Sequence, residues 1–193
     1  MSTHLLRQAY AQGYFPMPHP HSNELLWLSP DPRAIIPLDG LHVSRSLERT
    51  IRRGHLTYTY DMDFAGVMQG CSERPDTWIT DEFKTAYQRL HKEGYAHSVE
   101  IWQDDKLVGG VYGVALHGAF FAESKFHRVR DASKMAIVKL VERMKICGME
   151  LLEVQFLTDH LKTLGTIEVP RRQYLQLLSH ALSSPAKFTP VSP

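Results

Sequence analysis

The chain has 193 residues, of which 43% are hydrophobic and 22% are charged, and its formal net charge is +1. This size and composition fit one globular domain with at most a small appendage. The near-zero charge gives no global sign of nucleic-acid binding, although a local basic face remains open. Cys71 and Cys147 lack the spacing of metal ligands. We therefore expect both to be reduced thiols with a packing role in a cytosolic protein. The sequence has neither a signal-peptide core nor the run of about 18 apolar residues that a membrane span requires.

The N-terminal part of the chain predicts a small subdomain over residues 1–30, followed by one larger domain over residues 31–193. Apolar residues recur at helical spacing over residues 4–12, which predicts a short helix. The segments 14–21 and 27–33 are interrupted by prolines, so we expect irregular structure in both.

An arginine-rich helix is predicted after a short strand at residues 33–37. Ser44 suits the N-cap position of this helix, and Gly54 suits its end. Its basic residues form either a solvated face or a contact with a polyanion. They are Arg45, Arg49, Arg52 and Arg53.

The rest of the chain predicts strands and helices in an order that indicates the fold class. The predicted elements are a strand at 55–60, helices at 63–71 and 80–92, strands at 96–103, 106–116 and 119–124, a helix from Asp131 or Ser133 to Ile146, a strand at 149–156, a short helical turn, and a helix with Pro170 at its first position. An antiparallel meander followed by a helix and a further strand is typical of N-acyltransferase folds. We therefore predict an α+β, GNAT-like fold with a mostly antiparallel, curved sheet flanked by helices.

Polar residues at two predicted strand ends form the candidate catalytic group. Glu123 ends one strand and Gln155 ends another, and Glu153 shares a face with Gln155 by the two-residue period of a strand. Together they offer two carboxylates and an amide to one cleft. Attack of an amine on an ester needs a route for the amine proton, a donor for the developing oxyanion and a grip on the substrate. The alternative is an ordinary polar strand edge.

Other sequence features limit the chemistry. Glycines 109, 110 and 113 lie within a strand pattern, so we expect a bulge or a close backbone approach there rather than a phosphate cradle. No nucleophile elbow, Walker loop or dinucleotide fingerprint is present, and the histidines form no metal-ligand motif, so no metal is assigned. Trp78 lies in a loop, where it either stacks on a base or fills the core.

Collinear segments along nearly the whole chain carry a family resemblance. They are Ala9-Tyr-Ala-Gln-Gly-Tyr-Phe-Pro16, Trp27-Leu-Ser-Pro-Asp-Pro-Arg33, His42-Val-Ser-Arg-Ser46, Thr77-Trp-Ile-Thr80, Ala86-Tyr-Gln-Arg-Leu-His91, Gly94-Tyr-Ala-His-Ser-Val-Glu100, Leu107-Val-Gly-Gly-Val-Tyr-Gly-Val114, Glu123-Ser-Lys-Phe126, Asp131-Ala-Ser-Lys134, Gln155-Phe-Leu-Thr-Asp-His160, Leu164-Gly165 and Ile167-Glu-Val-Pro-Arg-Arg-Gln-Tyr174. On these segments the sequence resembles the leucyl/phenylalanyl-tRNA–protein transferase family.

The resemblance implies an aminoacyltransferase. It would move leucine or phenylalanine from charged tRNA to the N-terminus of a protein that begins with Arg or Lys, which marks that protein for N-degron proteolysis. It implies the N-acyltransferase fold with aminoacyl-tRNA in place of acyl-coenzyme A, and no metal or organic cofactor. We expect a cytoplasmic monomer without a membrane contact.

The resemblance also assigns roles to single residues. Glu123 matches the family's catalytic-site glutamate and would hold the α-amino group of the donor or of the acceptor. Gln155 matches its glutamine and would relay the amine proton. Glu153 stands where the family commonly has aspartate, as the outer carboxylate of that relay. Trp78 would meet the terminal adenosine, and Phe120 would line the amino-acid pocket.

Three residues depart from the family's usual pattern. Met17 stands where the family usually has tryptophan, and Met144 fills an aromatic position of the pocket wall. Both keep the pocket apolar and make it more pliable. Lys125 stands where methionine is usual. Because a buried ammonium is unfavourable unless it reaches water or an acid, either Lys125 points away or the donor is neither leucine nor phenylalanine.

Phosphates of the donor and the cationic side chain of the acceptor need partners of opposite charge. The candidate tRNA contacts are Arg45, Arg49, Arg52, Arg53, Arg128, Arg130 and Lys134. The candidate acceptor contacts are Glu73, Asp76, Asp159 and Glu168. Two alternatives stay open, an acyl-coenzyme A-dependent N-acyltransferase and a non-catalytic binder of tRNA or N-termini. The glycine-free segment 127–130 disfavours the first of these.

Overall fold

The computed structural model describes residues 1–19, 22, 24–73 and 77–190. The strands are β1 (Phe15–Pro18), β2 (Leu25–Leu28), β3 (Arg33–Ile36), β4 (Thr57–Tyr60), β5 (Ala96–Gln103), β6 (Lys106–Leu116), β7 (Ala119–His127), β8 (Leu151–Gln155) and β9 (Ile167–Val169). The helices are α1 (Thr3–Ala11), α2 (Arg45–Arg52), α3 (Phe64–Ser72), α4 (Asp81–Lys92), α5 (Ala132–Ile146), α6 (Asp159–Lys162) and α7 (Arg171–Ser183), with a 3-10 turn at Leu38–Gly40.

A seven-stranded sheet with the order β4-β5-β6-β7-β8-β3-β9 forms the centre of the molecule. Its neighbouring strands are antiparallel except for β7 and β8, which run parallel. That parallel pairing covers only Ala119–Phe121 against Leu151–Glu153. The two strands therefore separate towards their C-terminal ends. The predicted α+β architecture, with a mostly antiparallel sheet flanked by helices, is confirmed.

Local sequence signals explain where several elements begin and turn. The Ser44 hydroxyl accepts from the Leu47 amide at the start of α2, and the Thr80 hydroxyl caps α4 in the same way. Asp104 and Asp105 both have positive φ, at 48° and 58°, which is the requirement of a tight two-residue hairpin between β5 and β6. The predicted caps and the predicted hairpin are confirmed.

Glycines 109, 110 and 113 lie in β6, where the prediction of a bulge and a close approach is also confirmed. The register between β6 and β7 shifts at Tyr112/Gly113. A Cβ at Gly113 would lie 2.1 Å from the carbonyl oxygen of Phe121, so only glycine fits this bulge.

Two hydrophobic layers cover the sheet. One layer packs α1, α3, α4 and α7 against one face, and the other packs α5 and α2 against the opposite face. Phe120 and Phe121 show the division, because these adjacent residues of β7 point into opposite layers. The tail of described residues 185–190 contains no helix or strand, yet Phe188 is buried in the α5 layer.

Several predicted elements were wrong in detail. Residues 15–18, within the segment 14–21 predicted irregular, pair with residues 25–28 as a two-stranded sheet, and residues 27 and 28 of that sheet belong to the other segment predicted irregular, 27–33. A two-stranded ribbon leaves half of its amide groups outside the ladder, so it tolerates proline. The sequence also missed β9, whose three residues are too few to show a period. Pro170 lies at the N-cap of α7 rather than at its first helical position.

The N-terminal segment packs against the rest of the chain. Leu6, Tyr10 and Phe15 are buried in the layer that also contains α3, α4 and α7. The division into a subdomain of residues 1–30 and a domain of residues 31–193 remains a prediction. Within the described residues, no helix combines the length and apolarity that crossing a membrane requires. Cys71 is buried, as expected of a packing residue, and Cys147 is partly buried.

Candidate active site

The point where β7 and β8 stop pairing brings Glu123 and Gln155 together. Gln155 Nε2 donates a hydrogen bond to Glu123 Oε1 over 3.0 Å. Both side chains are largely buried, each with 7% exposure. Because the two strands pair only up to Phe121 and Glu153, a gap opens beyond these residues, and Glu123 and Gln155 occupy it. The predicted convergence of the two side chains is confirmed, although β7 continues to His127 and Glu123 therefore lies in the middle of that strand rather than at its end.

A cavity of about 180 Å³ opens beside this pair. Its polar wall carries the carboxyl and carboxamide groups, and its floor is apolar. The lining residues are Trp78, Val111, Ala122, Glu123, Ser124, Lys125, Ile137, Val154, Gln155, Phe156, Thr158 and Leu161. The arrangement places a carboxyl group and an amide beside a space of the size of a small side chain.

Two tyrosines that the sequence analysis did not single out hold the Glu123 carboxyl from the opposite side. Tyr87 Oη, on α4, donates to Glu123 Oε2 over 3.1 Å, and Tyr10 Oη, on α1, hydrogen-bonds to Tyr87 Oη. Both tyrosines are fully buried. Each lies in a segment that carries the family resemblance, and this is the sequence signal that could have identified them. They fix the Glu123 carboxyl in one orientation towards Gln155.

Burial makes the Glu123 carboxyl hard to ionise. Desolvation is the largest effect, and together with the nearby charge of Glu153 it raises the pKa of Glu123 to about 8. Hydrogen bonds from Tyr10, Tyr87 and Gln155 act in the opposite direction. A carboxyl group with a pKa near neutrality can both accept and release a proton under physiological conditions.

Glu153 lies close to this pair but does not line the cavity. It is fully buried, and its Oε1 lies 2.9 Å from Arg33 Nε. Burial raises the pKa of Glu153 to about 7 although the Arg33 charge lowers it. The expectation that Glu153 and Gln155 open onto one cleft is wrong. Gln155 has a left-handed φ of 65°, which breaks the two-residue period of β8 between these side chains.

Arg33 is the third residue that sequence reasoning missed. It donates from Nη2 to the carbonyl oxygen of Gly13 over 2.6 Å, and its guanidinium lies over the rings of Phe15 and Tyr174. Three groups, two from the N-terminal segment and one from α7, thus hold the arginine against Glu153. The buried ion pair fixes the start of β3 beside the end of β8.

The five predicted substrate-binding residues occupy three different places. Trp78 and Lys125 line the cavity of the Glu123–Gln155 pair, so Lys125 does not point away from it. Phe120 and Met144 are buried in the α5 layer, together with Val111 and Ile137 of the cavity floor. They lie beneath the cavity rather than on its surface.

Met17 lines a neighbouring cavity of about 980 Å³, and Trp78 is common to both spaces. This second cavity also contains acidic side chains that the sequence analysis did not choose, namely Glu24, Asp81 and Glu82. None of the candidate acceptor contacts Glu73, Asp159 and Glu168 lines either cavity. Glu73 pairs with Arg128 and Asp159 with Lys162, and Asp76 lies outside the described residues.

The predicted tRNA contacts separate into distinct groups. Arg49, Arg53 and Arg130 line a groove of about 430 Å³ between α2 and the start of α5, and His55 joins them. Arg128 is bound elsewhere, because its Nη2 donates to both oxygens of Glu73 over 3.0 and 2.8 Å. Arg45 and Arg52 are exposed on α2 outside this groove, and Lys134 is half-buried in the first turn of α5.

Comparison with known proteins identifies the family. The family profile described as leucyl/phenylalanyl-tRNA protein transferase matches residues 35–179, and that of its N-terminal domain matches residues 1–31. The chain belongs to the leucyl/phenylalanyl-tRNA–protein transferase family.

Relatives of this family match over nearly the whole chain. A leucyl/phenylalanyl-tRNA–protein transferase from Herpetosiphon aurantiacus is 52% identical over 97% of this chain and 98% of its own length. Relatives of the same name from a Ruegeria species and from Gloeobacter violaceus are 49% and 47% identical, over 97% of this chain and 90% and 97% of their own lengths. The resemblance stated from the sequence is therefore confirmed.

Solved structures resemble the chain more distantly. The structure of L-PGS from Bacillus licheniformis aligns with a TM-score of 0.49 and 12% identity, over 67% of this chain and 48% of that one. An aminoglycoside acetyltransferase from an uncultured soil metagenomic sample aligns with a TM-score of 0.44 and 14% identity, over 72% and 93%. Similarity at this level carries no information on the reaction.

Proposed function

We propose that this chain is an aminoacyltransferase that moves leucine or phenylalanine from charged tRNA to the N-terminal amine of proteins starting with Arg or Lys. The contact between Gln155 and Glu123 beside an apolar-floored cavity carries the proposal, in a chain of this family. The appended residue would mark the acceptor for N-degron proteolysis. A location in the cytoplasm, where charged tRNA is available, is part of the proposal.

The reaction itself requires positioning and proton transfer. The acceptor amine attacks the carbonyl carbon of the aminoacyl ester, a C–N bond forms, and the C–O bond to the ribose breaks. The amine loses one proton, and the ribose oxygen gains one. Because the ester is already activated, holding the two reactants together accounts for most of the acceleration.

Gln155 is suited to the proton transfer by the way its carboxamide is fixed. Nε2 is directed to Glu123 Oε1, so Oε1 of Gln155 is left to accept from the attacking amine. We assign it the role of orienting that amine and passing on its proton. Glu153 would act on this residue indirectly, since the Gln155 backbone lies close enough to its carboxylate to lower the pKa of that group.

Glu123 is suited to hold an α-ammonium group. Its carboxyl is buried, and Tyr87 and Gln155 fix its orientation. An ammonium placed against it would lower its pKa from about 8 and form a strong ion pair in a site of low polarity. The ammonium of the donor or of the acceptor fits this description.

The apolar floor is suited to the donor side chain. Val111, Ile137 and Leu161 line it, and Phe120 and Met144 pack in the same buried layer. Contacts of this type favour leucine or phenylalanine over polar side chains. Phe120 and Met144, which lie beneath this floor, would then determine the depth of the pocket without forming part of its surface.

The second cavity is suited to the first residue of the acceptor. Glu24, Asp81 and Glu82 line it, and it meets the first cavity at Trp78. Glu82 already binds the N-terminal ammonium over 2.8 Å and Asp81 lies 3.8 Å from Lys84, so the cationic side chain of Arg or Lys would pair with Glu24 or compete for the other two carboxylates. On the tRNA side, the groove of Arg49, Arg53 and Arg130 is the favoured contact for phosphates.

The decisive experiment offers a panel of charged tRNAs with peptides that begin with Arg, Lys, Asp or Glu, and acetyl-coenzyme A in parallel. We expect transfer of leucine and phenylalanine to the Arg and Lys peptides only. Gln155→Ala should remove most of the transfer while charged-tRNA binding persists, and Gln176→Ala, an exposed glutamine on α7, is the matched control. Transfer of acetyl groups, or binding of both partners without transfer, would replace this proposal with one of the alternatives.

A further inference from the structure

Lys125 belongs to a group of basic side chains at the open end of the active-site cavity. It lines that cavity from β7, opposite Val111 in the neighbouring strand. His127 follows two residues later on the same face of β7, and its Nδ1 lies 3.3 Å from Ser133 Oγ in the first turn of α5. Lys134 is the next residue of that turn. The strand and the helix thus bring three basic side chains to one side of the opening.

His160 faces them from the other side. It lies on α6, whose neighbours Thr158 and Leu161 line the cavity. Its Nδ1 is buried, with no hydrogen-bond partner among the residues that the structure describes. Burial is the largest effect on the His160 imidazole and lowers its pKa to about 4. Electrostatic interactions with Lys125, Lys134 and His127 lower this pKa further, in that order. The start of α5 and the segment 158–161 thus flank the cavity that Lys125 lines, with His127 and Lys134 on one side and His160 on the other.

Two carboxylates on the neighbouring elements have partners of their own. Asp131 accepts from Thr50 Oγ1 over 3.0 Å and lies 3.8 Å from Arg130. Asp159 is fully exposed and lies 3.6 Å from Lys162. Since like charges repel, a convergence of basic groups around one opening is best accounted for by an anion that binds there. The N-terminus of the 15-residue helix α5 adds to the positive potential.

We propose that Lys125, His127, Lys134 and His160 form a subsite for the phosphate on the 5′ side of the donor's terminal nucleoside. This rests on the proposed function. An ester placed beside Gln155 puts its nucleoside at the opening, between Trp78 and this group. From Lys134 the chain leads back through the start of α5 to Arg130, which lines the basic groove. The next phosphates of the donor can follow this path. Lys125 then serves the phosphate and not the amino-acid side chain.

The test uses two stable donor analogues, 3′-phenylalanylamino-adenosine with and without a 5′-phosphate, measured as inhibitors of peptide aminoacylation. Wild type should bind the phosphorylated analogue about tenfold more tightly, the effect of one or two charge-assisted hydrogen bonds. Lys125→Met should reduce that preference to about twofold, and this ratio of the two inhibition constants is the readout whatever the variant does to the unphosphorylated analogue. Lys106→Met, at an exposed position of the β5–β6 hairpin, is the control.

Each other outcome overturns the assignment. Equal weakening of both analogues by Lys125→Met, or equal affinity of wild type for both, would show that no phosphate is bound here. A changed preference among donor amino acids with the phosphate preference intact would place Lys125 in the amino-acid pocket. Lys134→Gln repeats the comparison if Lys125→Met does not fold. Failure of wild type to bind either analogue and to transfer any amino acid would instead overturn the proposed function.

Discussion

Glu123→Gln tests whether the buried carboxyl of the active site opposes folding at neutral pH. Burial raises its pKa in the folded protein to about 8, from an ordinary value of 4.5. Below about pH 4.5 the carboxyl is neutral in both states, and the folded state keeps its full stability. As the pH rises towards 8, the unfolded chain ionises first, so the stability falls and the loss is complete above the folded pKa.

The size of this fall follows from the two pKa values. About 3.5 pH units separate them, and each unit corresponds to 1.36 kcal/mol, which gives an upper limit of about 5 kcal/mol. Partial solvation of the site reduces this, and we expect about 2–4 kcal/mol between pH 5 and pH 8. Glutamine stays neutral throughout, so the variant should lack this part of the pH dependence. Its rearranged contacts with Tyr87 and Gln155 add an offset that does not vary with pH.

The measurement is urea unfolding of both proteins at pH 5, 6, 7 and 8. The stability of Glu123→Gln relative to wild type should increase by about 2–4 kcal/mol across this range. Glu168→Gln, which removes an exposed carboxylate of β9, controls for the change in net charge. Parallel pH profiles for Glu123→Gln and wild type would show that the carboxyl ionises in the folded protein as it does in water, and the reasoning would be refuted.

Three further predictions concern the tail, the groove and the charge of the site. Phe188→Ala should lower the free energy of unfolding by about 3 kcal/mol, because the ring packs on Tyr60, Phe120 and His97. Unchanged urea unfolding of this variant would show that the tail does not stabilise the α5 layer. Replacing Arg49 and Arg53 together by alanine should reduce the slope of log affinity for tRNA against log salt concentration by about 1.5, whereas Arg128→Ala should barely change it. Binding of the unphosphorylated donor analogue at pH 7 should release protons, because Glu123 ionises against the ammonium of the analogue. Calorimetry in two buffers of different ionisation enthalpy measures this release, and equal binding enthalpies in the two buffers would contradict the prediction.

Much of the fold could be predicted because its signals are local. Caps such as Ser44 and Thr80, the Asp104-Asp105 turn and the glycine bulge of β6 each depend on a few neighbouring residues. The convergence of Glu123 and Gln155 was also predictable, since both lie in segments that carry the family resemblance, although the structure extends β7 beyond Glu123 to His127. The β1–β2 ribbon was not, because proline counts against a strand unless the pairing pattern is known.

The missed parts of the site depend on contacts between distant segments. Tyr10 and Tyr87 are 77 residues apart and meet only when α1 packs on α4, so no spacing in the sequence indicates their hydrogen bond. Arg33 is likewise joined to Glu153 by the antiparallel pairing of β3 with β8. The orientation of Glu153 was mispredicted because one left-handed residue, Gln155, reverses the alternation on which the prediction relied.

The charges buried at the site explain why the N-terminal segment is needed for it. Glu123 and Glu153 raise each other's electrostatic energy, and Arg33 is the cation held directly against Glu153. Arg33 is in turn held by the carbonyl of Gly13 and the ring of Phe15, while Tyr10 acts on Glu123 through Tyr87. Because Arg33 is the one cation that offsets the two carboxyl groups here, Glu123 and Glu153 together keep roughly one proton at neutral pH before substrate binds. An incoming ammonium can take the place of that proton, so the same burial that opposes folding prepares Glu123 to bind a cationic substrate.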